Sequence, residues 1–393
     1  MKEITSNINI IGGGLIGAVT AYSLSKLDYK ITILEKNDQF SSKKYKDYRT
    51  IAISEGTKTF LEKLNLWSDI SRFAQPIKRI KVIDRKLSNF LEFDNKRRKS
   101  NLGYIVKNIH LLNIIYKKLK NNRNVLILNN SQPENFRTYK DSIITDLNDC
   151  TIFSDINIAA DGKKSFVRKQ LKTPTFKKNY NKSAFVTTFT HSNSHLSTAF
   201  EFFYKNGPLA ILPMQELNNN FRSSIVWTNN REYLEKLFDI DNKSLQLILG
   251  KETRNSVGKI NKIITKQLFP LNAHLSSSFY ENRTIYIGDA AHSFHPIAGQ
   301  GWNLGMKGVE NLFYLAKKYK SIGIEIGNKS FCKEYHNENY YRAYRLYQLT
   351  DKLDSIFTNQ NSIISLCRSF GFGFFQKNKT INNLISDFAM GIN

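Results

Sequence analysis

The stretch that determines the fold is Ile8-Asn9-Ile10-Ile11-Gly12-Gly13-Gly14-Leu15-Ile16-Gly17. Its apolar start predicts a buried strand, the residues after it have a helical pattern, and a second apolar strand over residues 31–34 ends at Glu35. Gly12, Gly14 and Gly17 have the G-x-G-x-x-G spacing, which permits a tight turn and a close approach of the backbone to a pyrophosphate. An acid about 20 residues further on can bind ribose hydroxyls. In this context the motif predicts a dinucleotide site rather than a plain strand–helix turn.

A second motif reads Gly288-Asp289-Ala290-Ala291-His292-Ser293-Phe294-His295-Pro296-Ile297-Ala298-Gly299-Gln300-Gly301-Trp302-Asn303-Leu304-Gly305. Asp289 follows an apolar strand over residues 284–287, and ligands of open α/β sheets bind at such strand ends. A helical pattern begins after the loop, so free N–H groups near Gly301, Trp302 and Asn303 would form an anion site. A flavin fits both features, because Asp289 can accept hydrogen bonds from ribityl hydroxyls and the helix N-terminus stabilises charge on the reduced ring.

A third motif, Asp161-Gly162-Lys163-Lys164-Ser165, follows an apolar strand over residues 156–160. Alone it indicates a turn, with Ser165 as the cap of a helix. Together, the three motifs resemble the flavoprotein aromatic hydroxylases of the para-hydroxybenzoate hydroxylase type. The resemblance implies that Asp161 lies beside FAD and that NADH or NADPH is the co-substrate.

The stretch from His295 to Gly305 is similar to the signature of the ubiquinone-biosynthesis hydroxylases, which act on polyprenylated phenols. Further family-like pieces cover almost the whole chain, at residues 47–52, 103–106, 207–213, 224–228, 269–271 and 350–351. Two positions depart from the family pattern. Ile109 stands where relatives often have Arg or Gln, and Gly308 stands where Asp is usual. These departures concern the tightness of cofactor binding more than the chemistry.

The resemblance also implies the reaction. NAD(P)H reduces FAD, the reduced flavin adds O2 at C4a, and the resulting hydroperoxide transfers an oxygen atom to the phenol ring. The flavin carries this chemistry, so the sequence names no certain catalytic side chain. Pro296 and the backbone of residues 301–303 are expected to line the flavin ring, and Arg49 to pair with the FAD pyrophosphate or with NAD(P)H. His295 is a candidate proton shuttle, although a structural histidine is the stronger interpretation, as it is for His292.

The order of the patterns predicts an α/β protein in which a Rossmann-like FAD-binding domain is interleaved with a β-sheet substrate domain, as in the para-hydroxybenzoate hydroxylase fold. The FAD-binding domain is expected to comprise residues 1–76, 102–172 and 268–330. The substrate domain is expected at residues 77–101 and 173–267, where alternating strand patterns predominate. Residues 331–393 are expected to form a helical C-terminal region.

The composition, 393 residues with 41% hydrophobic residues and a net charge of +25, allows a sizeable core and raises the question of an anionic partner. The basic residues are scattered, and the densest run, residues 96–99, is interpreted as a solvated loop. No zinc-finger, RNP-like or basic-zipper sequence accompanies the charge. A nucleic-acid partner is therefore not expected.

Three widely spaced cysteines, Cys150, Cys332 and Cys367, argue against a disulfide framework or a metal site. The chain has no apolar signal region and no apolar run long enough to cross a bilayer, so we expect a cytoplasmic protein. Near the C-terminus, the phenylalanine-rich segment 369–375 is flanked by cations. This segment suits peripheral contact with the inner face of the membrane, or equally a seam packed on the cofactor domain or on the partner of a homodimer.

Three hypotheses remain open from the sequence. The leading one is an FAD-dependent monooxygenase that hydroxylates a prenylated phenol, working beside other ubiquinone-biosynthesis proteins. The second is a hydroxylase of a soluble aromatic compound. The third is a flavoprotein-like scaffold subunit without catalytic activity, which the intact glycines and Asp289 disfavour.

Overall fold

The structure is a computed structural model that describes residues 2–37, 47–84, 90–94, 100–294 and 300–358. Several sequence predictions lie outside these ranges: those for His295 and Pro296, the basic run at 96–99, Cys367 and the aromatic segment at 369–375.

The strands, in chain order, are β1 (Lys2–Ile11), β2 (Ile31–Glu35), β3 (Thr50–Ile53), β4 (Gln75–Ile77), β5 (Arg79–Asp84), β6 (Phe90–Asp94), β7 (Gly103–Lys107), β8 (Val125–Asn129), β9 (Asn135–Thr138), β10 (Ile143–Asp146), β11 (Cys150–Ala159), β12 (Thr175–His191), β13 (Thr198–Tyr204), β14 (Gly207–Leu217), β15 (Asn220–Asn230), β16 (Ile260–Ser276), β17 (Tyr280–Glu281), β18 (Thr284–Tyr286) and β19 (His292–Ser293). The α-helices are α1 (Leu15–Ser25), α2 (Glu55–Lys63), α3 (Trp67–Ile70), α4 (Asn108–Lys120), α5 (Phe166–Gln170), α6 (Arg231–Asp239), α7 (Asn242–Glu252), α8 (Gln300–Ser321) and α9 (Lys329–Thr358). Two 3-10 helices cover Ser71–Phe73 and Gly288–Ala290.

The first sheet has the strand order β17-β18-β11-β1-β2-β8, with β10 and β9 continuing from β11. β1 pairs in parallel with both β2 and β11, and β11 pairs in parallel with β18. All five residues of β2 are buried, as expected for a parallel strand that is covered on both faces. Packed against the sheet, α1, α4 and α8 contribute to the largest hydrophobic core. This arrangement confirms the predicted Rossmann-like sheet.

The second sheet has the order β19-β16-β12-β15-β14-β13-β5-β6 and is antiparallel except for the β13–β5 pair. Its own core packs the strands against α6 and α7. β16 stays in this sheet through Ser276, so the predicted domain boundary at residue 268 falls inside a continuous strand. The domain bounds stay a prediction, and we place this one after Ser276.

Two further parts connect the sheets. β3, β7 and β4 form a small antiparallel sheet, and a third apolar cluster joins it to the second sheet. α9 packs beside α8 and against β13, β14 and β16. Within the described residues, no helix is both long enough and apolar enough to cross a bilayer.

Candidate flavin site

The register of the first sheet brings the three sequence motifs together. Ile11 of β1 pairs with Ala159 of β11, and Ala159 pairs with Tyr286 of β18. Because the strands are parallel, their carboxyl ends lie at one edge of the sheet, where ligands of such folds bind. The glycine loop, the Asp161 loop and the Asp289 loop therefore begin side by side.

The glycines of the first loop serve different purposes. Gly12 has a φ of +106°, and a Cβ there would collide with the carbonyl oxygen of Ala160. At Gly17, a Cβ would collide with the carbonyl oxygen of Gly12. A Cβ at Gly14 would meet no atom within 4 Å. Two glycines thus close the turn, and Gly14 leaves open space at the N-terminus of α1.

Glu35 is buried at the end of β2 and holds the glycine loop. Its Oε2 accepts a hydrogen bond from the backbone N–H of Gly13 at 2.8 Å, and its Oε1 accepts one from the N–H of Asn37 at 3.0 Å. From the other side, the Tyr116 hydroxyl donates to the carbonyl of Gly13 at 2.7 Å. The acidic side chain predicted for the ribose is therefore fixed beside the loop.

Asp161 follows the end of β11, and its side chain contacts the first turn of the short helix α5. Its Oδ2 accepts a hydrogen bond from the Val167 N–H at 3.1 Å, whereas its buried Oδ1 has no partner among the described residues. Burial raises the pKa of this carboxyl above its ordinary value. Ser165 accepts from the Arg168 N–H at 3.0 Å, which confirms the predicted cap.

Asp289 lies on the 3-10 helix that follows β18. Its side chain is accessible to solvent, yet protein surrounds it, as at the floor of a cleft. Burial raises the pKa of its carboxyl, and the cations of Lys163 and Arg49 act in the opposite direction. Asp289 is thus positioned to accept hydrogen bonds from a ligand in the cleft.

Arg168 is a site-forming residue that sequence reasoning did not single out. Its guanidinium is buried and donates to the carbonyl of Ala290 at 2.5 Å and to the carbonyl of Lys163 at 3.0 Å. It also donates to Nε2 of His274 at 3.1 Å, whose pKa falls to about 3 through burial and through the nearby Arg168 charge. Arg168 therefore joins the Asp161 loop to the Asp289 loop. The sequence gives no signal for this role, because lysines precede and follow Arg168 in the same turn.

The start of α8 is attached to β3 and α2 through Asn303. The Asn303 amide donates to the carbonyl of Ala52 at 2.9 Å, and its Oδ1 accepts from the Ser54 N–H at 3.0 Å and from the Thr57 hydroxyl at 2.9 Å. A Cβ at Gly301 would meet no atom within 4 Å. The helix N-terminus therefore borders open space while the Asn303 side chain holds it in place.

Arg49 lies between a buried acid and the second sheet. Its guanidinium makes a two-point ion pair with Asp47, at 2.8 and 2.7 Å, and half of its side chain is exposed. It also lies over the ring of Phe269 at 5.5 Å, and its charge opposes the rise in the pKa of the Asp289 carboxyl that burial causes. Arg49 is thus at the border of the cleft, already paired with the buried carboxylate of Asp47.

The two departures from the family pattern have different surroundings. A Cβ at Gly308 would lie 3.2 Å from the Tyr335 hydroxyl, so a larger side chain there would have to displace α9 contacts. Ile109 is half-buried at the start of α4.

His292 is buried and stacks on Phe294 at 5.0 Å, and burial lowers its pKa to about 4, which fits a structural role.

These features fit a dinucleotide such as FAD. The cradle at Gly14 is open, the Glu35 and Asp289 carboxylates flank the cleft, and Asp161 Oδ1 and the buried Trp302 indole N–H lack partners among the described residues. A separate groove of about 890 Å³ lies between α2, α8 and α9 and shares Asn303 with this site. In the described part of the chain, no cluster of three His, Cys, Asp or Glu side chains is arranged to bind a metal.

The fold and this site define a flavoprotein with a Rossmann-like FAD-binding domain beside a second, mostly antiparallel sheet. The chain belongs to the FAD binding domain family, which matches residues 5–350. It is therefore an FAD-binding protein.

The chain is similar over nearly its full length to proteins named for ubiquinone synthesis. It is 27% identical to ubiquinone hydroxylase UbiL of Rhodospirillum rubrum, over 98% of this chain and 90% of that protein. It is 24% identical to the mitochondrial ubiquinone biosynthesis monooxygenase COQ6 of Dictyostelium discoideum, over 99% and 92% of the two chains.

Solved structures share the fold. p-Nitrophenol 4-monooxygenase PnpA from Pseudomonas putida DLL-E4 superposes with a TM-score of 0.81 at 17% identity, covering 99% of this chain and 98% of that one. A single-residue variant of HpxO from Klebsiella pneumoniae, complexed with FAD, has a TM-score of 0.76 at 15% identity, covering 98% of each chain. The predicted fold class is thereby confirmed.

Proposed function

We propose that this chain is an FAD-dependent monooxygenase that uses NAD(P)H and O2 to hydroxylate the ring of a prenylated phenol in ubiquinone biosynthesis. The observation that carries the proposal is the assembly of one flavin site from three distant motifs, in a chain that matches ubiquinone hydroxylases over nearly its whole length. FAD supplies hydride acceptance and oxygen activation when bound. The protein's task is to bind, orient and shield the reactants.

Each motif has a proposed part in holding FAD. Backbone N–H groups at Gly14 and the start of α1 would face the pyrophosphate, and Glu35 would bind the ribose. Asp289 would accept hydrogen bonds from the ribityl chain. The first N–H groups of α8, at residues 301–303, would stabilise negative charge on the flavin ring. Asp161 and Pro296 complete the proposed contacts by analogy with the family.

We propose that Arg49 binds the pyrophosphate of FAD or the anionic part of NAD(P)H. Half of the Arg49 side chain is exposed, whereas the Asp47 carboxylate that it pairs with is buried. A pyrophosphate accepts charge-assisted hydrogen bonds and can therefore compete for the guanidinium. Arg49 could thus donate to an arriving ligand from its exposed side.

The substrate would lie between the flavin site and the second sheet. A prenylated phenol is lipid-soluble, so we propose that the enzyme collects it at the cytoplasmic surface of a membrane, near other proteins of ubiquinone biosynthesis. We also propose the homodimer that the sequence suggested. The apolar side chains Val82, Ala210 and Val226 on the sheet suit the aromatic ring.

Isotopically labelled O2 tests the proposed reaction. Purified protein is supplied with FAD, NAD(P)H and a phenol that carries a short prenyl chain, and the product is analysed by mass spectrometry. We expect one labelled oxygen atom in the new hydroxyl, NAD(P)H consumed in step, and no label when only the water is labelled. A product without label from O2 would leave a dehydrogenase or an oxidase in place of a monooxygenase.

A further inference from the structure

One face of the second sheet includes Phe269 of β16, whose ring lies 5.5 Å from the Arg49 guanidinium at the border of the flavin cleft. Alternate residues such as Phe202, Leu209 and Trp227 belong to the core under α6 and α7. On each strand, the residues that alternate with these point away from that core. Ala199 of β13 and Met214 of β14 are two of them, and they pack with the small β3-β7-β4 sheet. α9 packs against β13, β14 and β16, and its described residues do not belong to the core under α6 and α7. We call this the cavity face.

Glu201 lies on the cavity face in the middle of β13. It pairs in register with Val82 of β5 and Ala210 of β14, whose Cβ atoms lie about 5 Å away in such pairs. Its side chain is partly accessible, and within the described residues it has no hydrogen-bond or ion-pair partner. An unpaired carboxyl among apolar neighbours costs free energy, and such groups are concentrated at functional sites.

Other polar atoms without partners share this face. The row that contains Glu201 and Ala210 continues through Val226 and Val186 to Gln267. The buried Gln267 Oε1 and the buried Ser224 hydroxyl have no hydrogen-bond partner among the described residues. A mainly apolar surface with a few unsatisfied polar groups is typical of a pocket for a small aromatic ligand.

The strand that carries Glu201 is joined to the start of α8 through the third apolar cluster. Ala199, two residues earlier on the same face and about 7 Å away, belongs to the cluster against which Ala52 packs. The carbonyl of Ala52 accepts the hydrogen bond from Asn303 that holds the first turn of α8. The cavity face of β13 is therefore linked, through Ala199 and Ala52, to the helix end proposed to lie at the flavin ring.

We propose that Glu201 is the acid–base residue of the reaction, whose carboxylate binds the hydroxyl of the phenol substrate and takes its proton. This inference rests on the proposed function. The phenolic O–H bond breaks and an O–H bond forms on Glu201, so the ring becomes an electron-rich phenolate. The ring then bonds to the oxygen atom from O2, with NAD(P)H as the reductant and water as the other product. When aromaticity returns, the ring C–H proton passes to solvent, which supplies the protons used to form water, and Glu201 gives its proton back to the first oxygen.

Glu201 must be ionised to act as a base. Burial raises the pKa of its carboxyl to about 7, and no charged side chain of the described residues contributes to that shift. On β5, Lys81 alternates to the other face and pairs with Glu92 at 3.7 Å. β14 presents no ionisable group between Gly207 and Met214. On α9, the side chains of Arg342 and Arg345 line the separate groove beside α8. Activity that depends on Glu201 should therefore fall below about pH 7.

The first test is turnover by Glu201→Gln, which keeps the shape of the side chain but cannot take a proton. We expect hydroxylation near pH 8 to fall by a factor on the order of 10² to 10⁴, and the acidic limb of kcat/KM to disappear, with FAD content unchanged. Glu201→Asp should keep the limb at a reduced rate. The control is Glu216→Gln at the exposed end of β14, which should match the wild type. Equal rates and equal pH profiles in wild type and Glu201→Gln would overturn the assignment.

The second test needs neither a variant nor turnover. A phenol with one isoprenyl group and its methyl ether are titrated into the wild-type holoenzyme by calorimetry at about pH 8 and pH 6. The affinity for the phenol should fall up to about tenfold at the lower pH, because a protonated Glu201 loses its charge-assisted hydrogen bond. The methyl ether should bind equally at both. Phenol binding that does not change with pH would reject Glu201 even if the enzyme hydroxylates. A pH-dependent affinity in an enzyme that fails to hydroxylate would reject the proposed function alone.

Discussion

Glu35 accepts backbone hydrogen bonds through both of its carboxylate oxygens. One carboxylate oxygen accepts from the Gly13 N–H and the other accepts from the Asn37 N–H. Carboxylate oxygens have about four acceptor positions in total, so lone pairs stay available for ribose hydroxyls. The same residue can therefore order the glycine loop before FAD arrives and bind FAD afterwards.

We predict that Glu35→Ala weakens FAD binding by about 1.5 to 3 kcal/mol, since one charge-assisted hydrogen bond is lost. Fluorescence titration of the apoprotein with FAD measures the change. Glu232→Ala, at an exposed position on α6, is the matched control and should bind FAD as the wild type does. Unchanged affinity in Glu35→Ala would remove Glu35 from the site.

At the scale of elements, the site depends on how loops from separate strands are joined. β11 and β18 pair over only three residues, so their loops gain little order from the sheet itself. Arg168 supplies the missing link, since it donates to carbonyls on both loops from the buried end of α5. A guanidinium suits this task because its donors form a rigid planar fork, which the single ammonium of lysine does not provide.

We predict that Arg168→Lys lowers the free energy of unfolding by about 1.5 to 3 kcal/mol, because one of the two carbonyls loses its charged donor. FAD content should also fall, since the Asp161 and Asp289 loops separate. Thermal unfolding and the flavin absorbance of the purified protein measure the two effects. Lys169→Met, on the exposed side of α5, is the control. If Arg168→Lys kept full stability and full FAD content, the linking role of Arg168 would be wrong.

At the scale of elements, the sequence was informative where the signal was local. The strand–glycine–helix pattern and the Ser165 cap act over a few residues, so spacing alone revealed them. The end of β16 could not be predicted from the local sequence. Its pairing with β12 continues through Thr175 and Ser276, across a bulge between Asn179 and Lys182, and only the partner strand defines where it ends.

At the scale of the whole molecule, buried histidines couple folding to pH. Burial lowers the pKa of His292 to about 4 in the folded chain, whereas an unfolded histidine has a pKa of about 6.5. Between these values the unfolded state binds the proton and the folded state does not. The stability that neutral His292 contributes is therefore present above about pH 6.5 and is lost as the pH falls toward 4.

We predict that His292→Gln makes the free energy of unfolding less dependent on pH between about 6.5 and 4, by up to about 1.4 kcal/mol per pH unit. Urea unfolding at several pH values measures the slope for both proteins. The absolute stability of the variant is not the readout, because the stacking on Phe294 is also lost. Parallel slopes in wild type and His292→Gln would contradict a neutral buried His292.

By itself, the sequence determined the class of fold, the three motifs and the cofactor, because the glycine spacing and the acids at strand ends are local patterns. Only the tertiary structure decided which side chains meet. Arg168 reaches Ala290 across 122 positions of sequence. Glu201 stands on the cavity face because of its pairing with Ala210 and Val82, and strand alternation alone permits either face. Contacts between distant segments depend on register and packing, and neither can be recognised from the spacing of neighbouring residues.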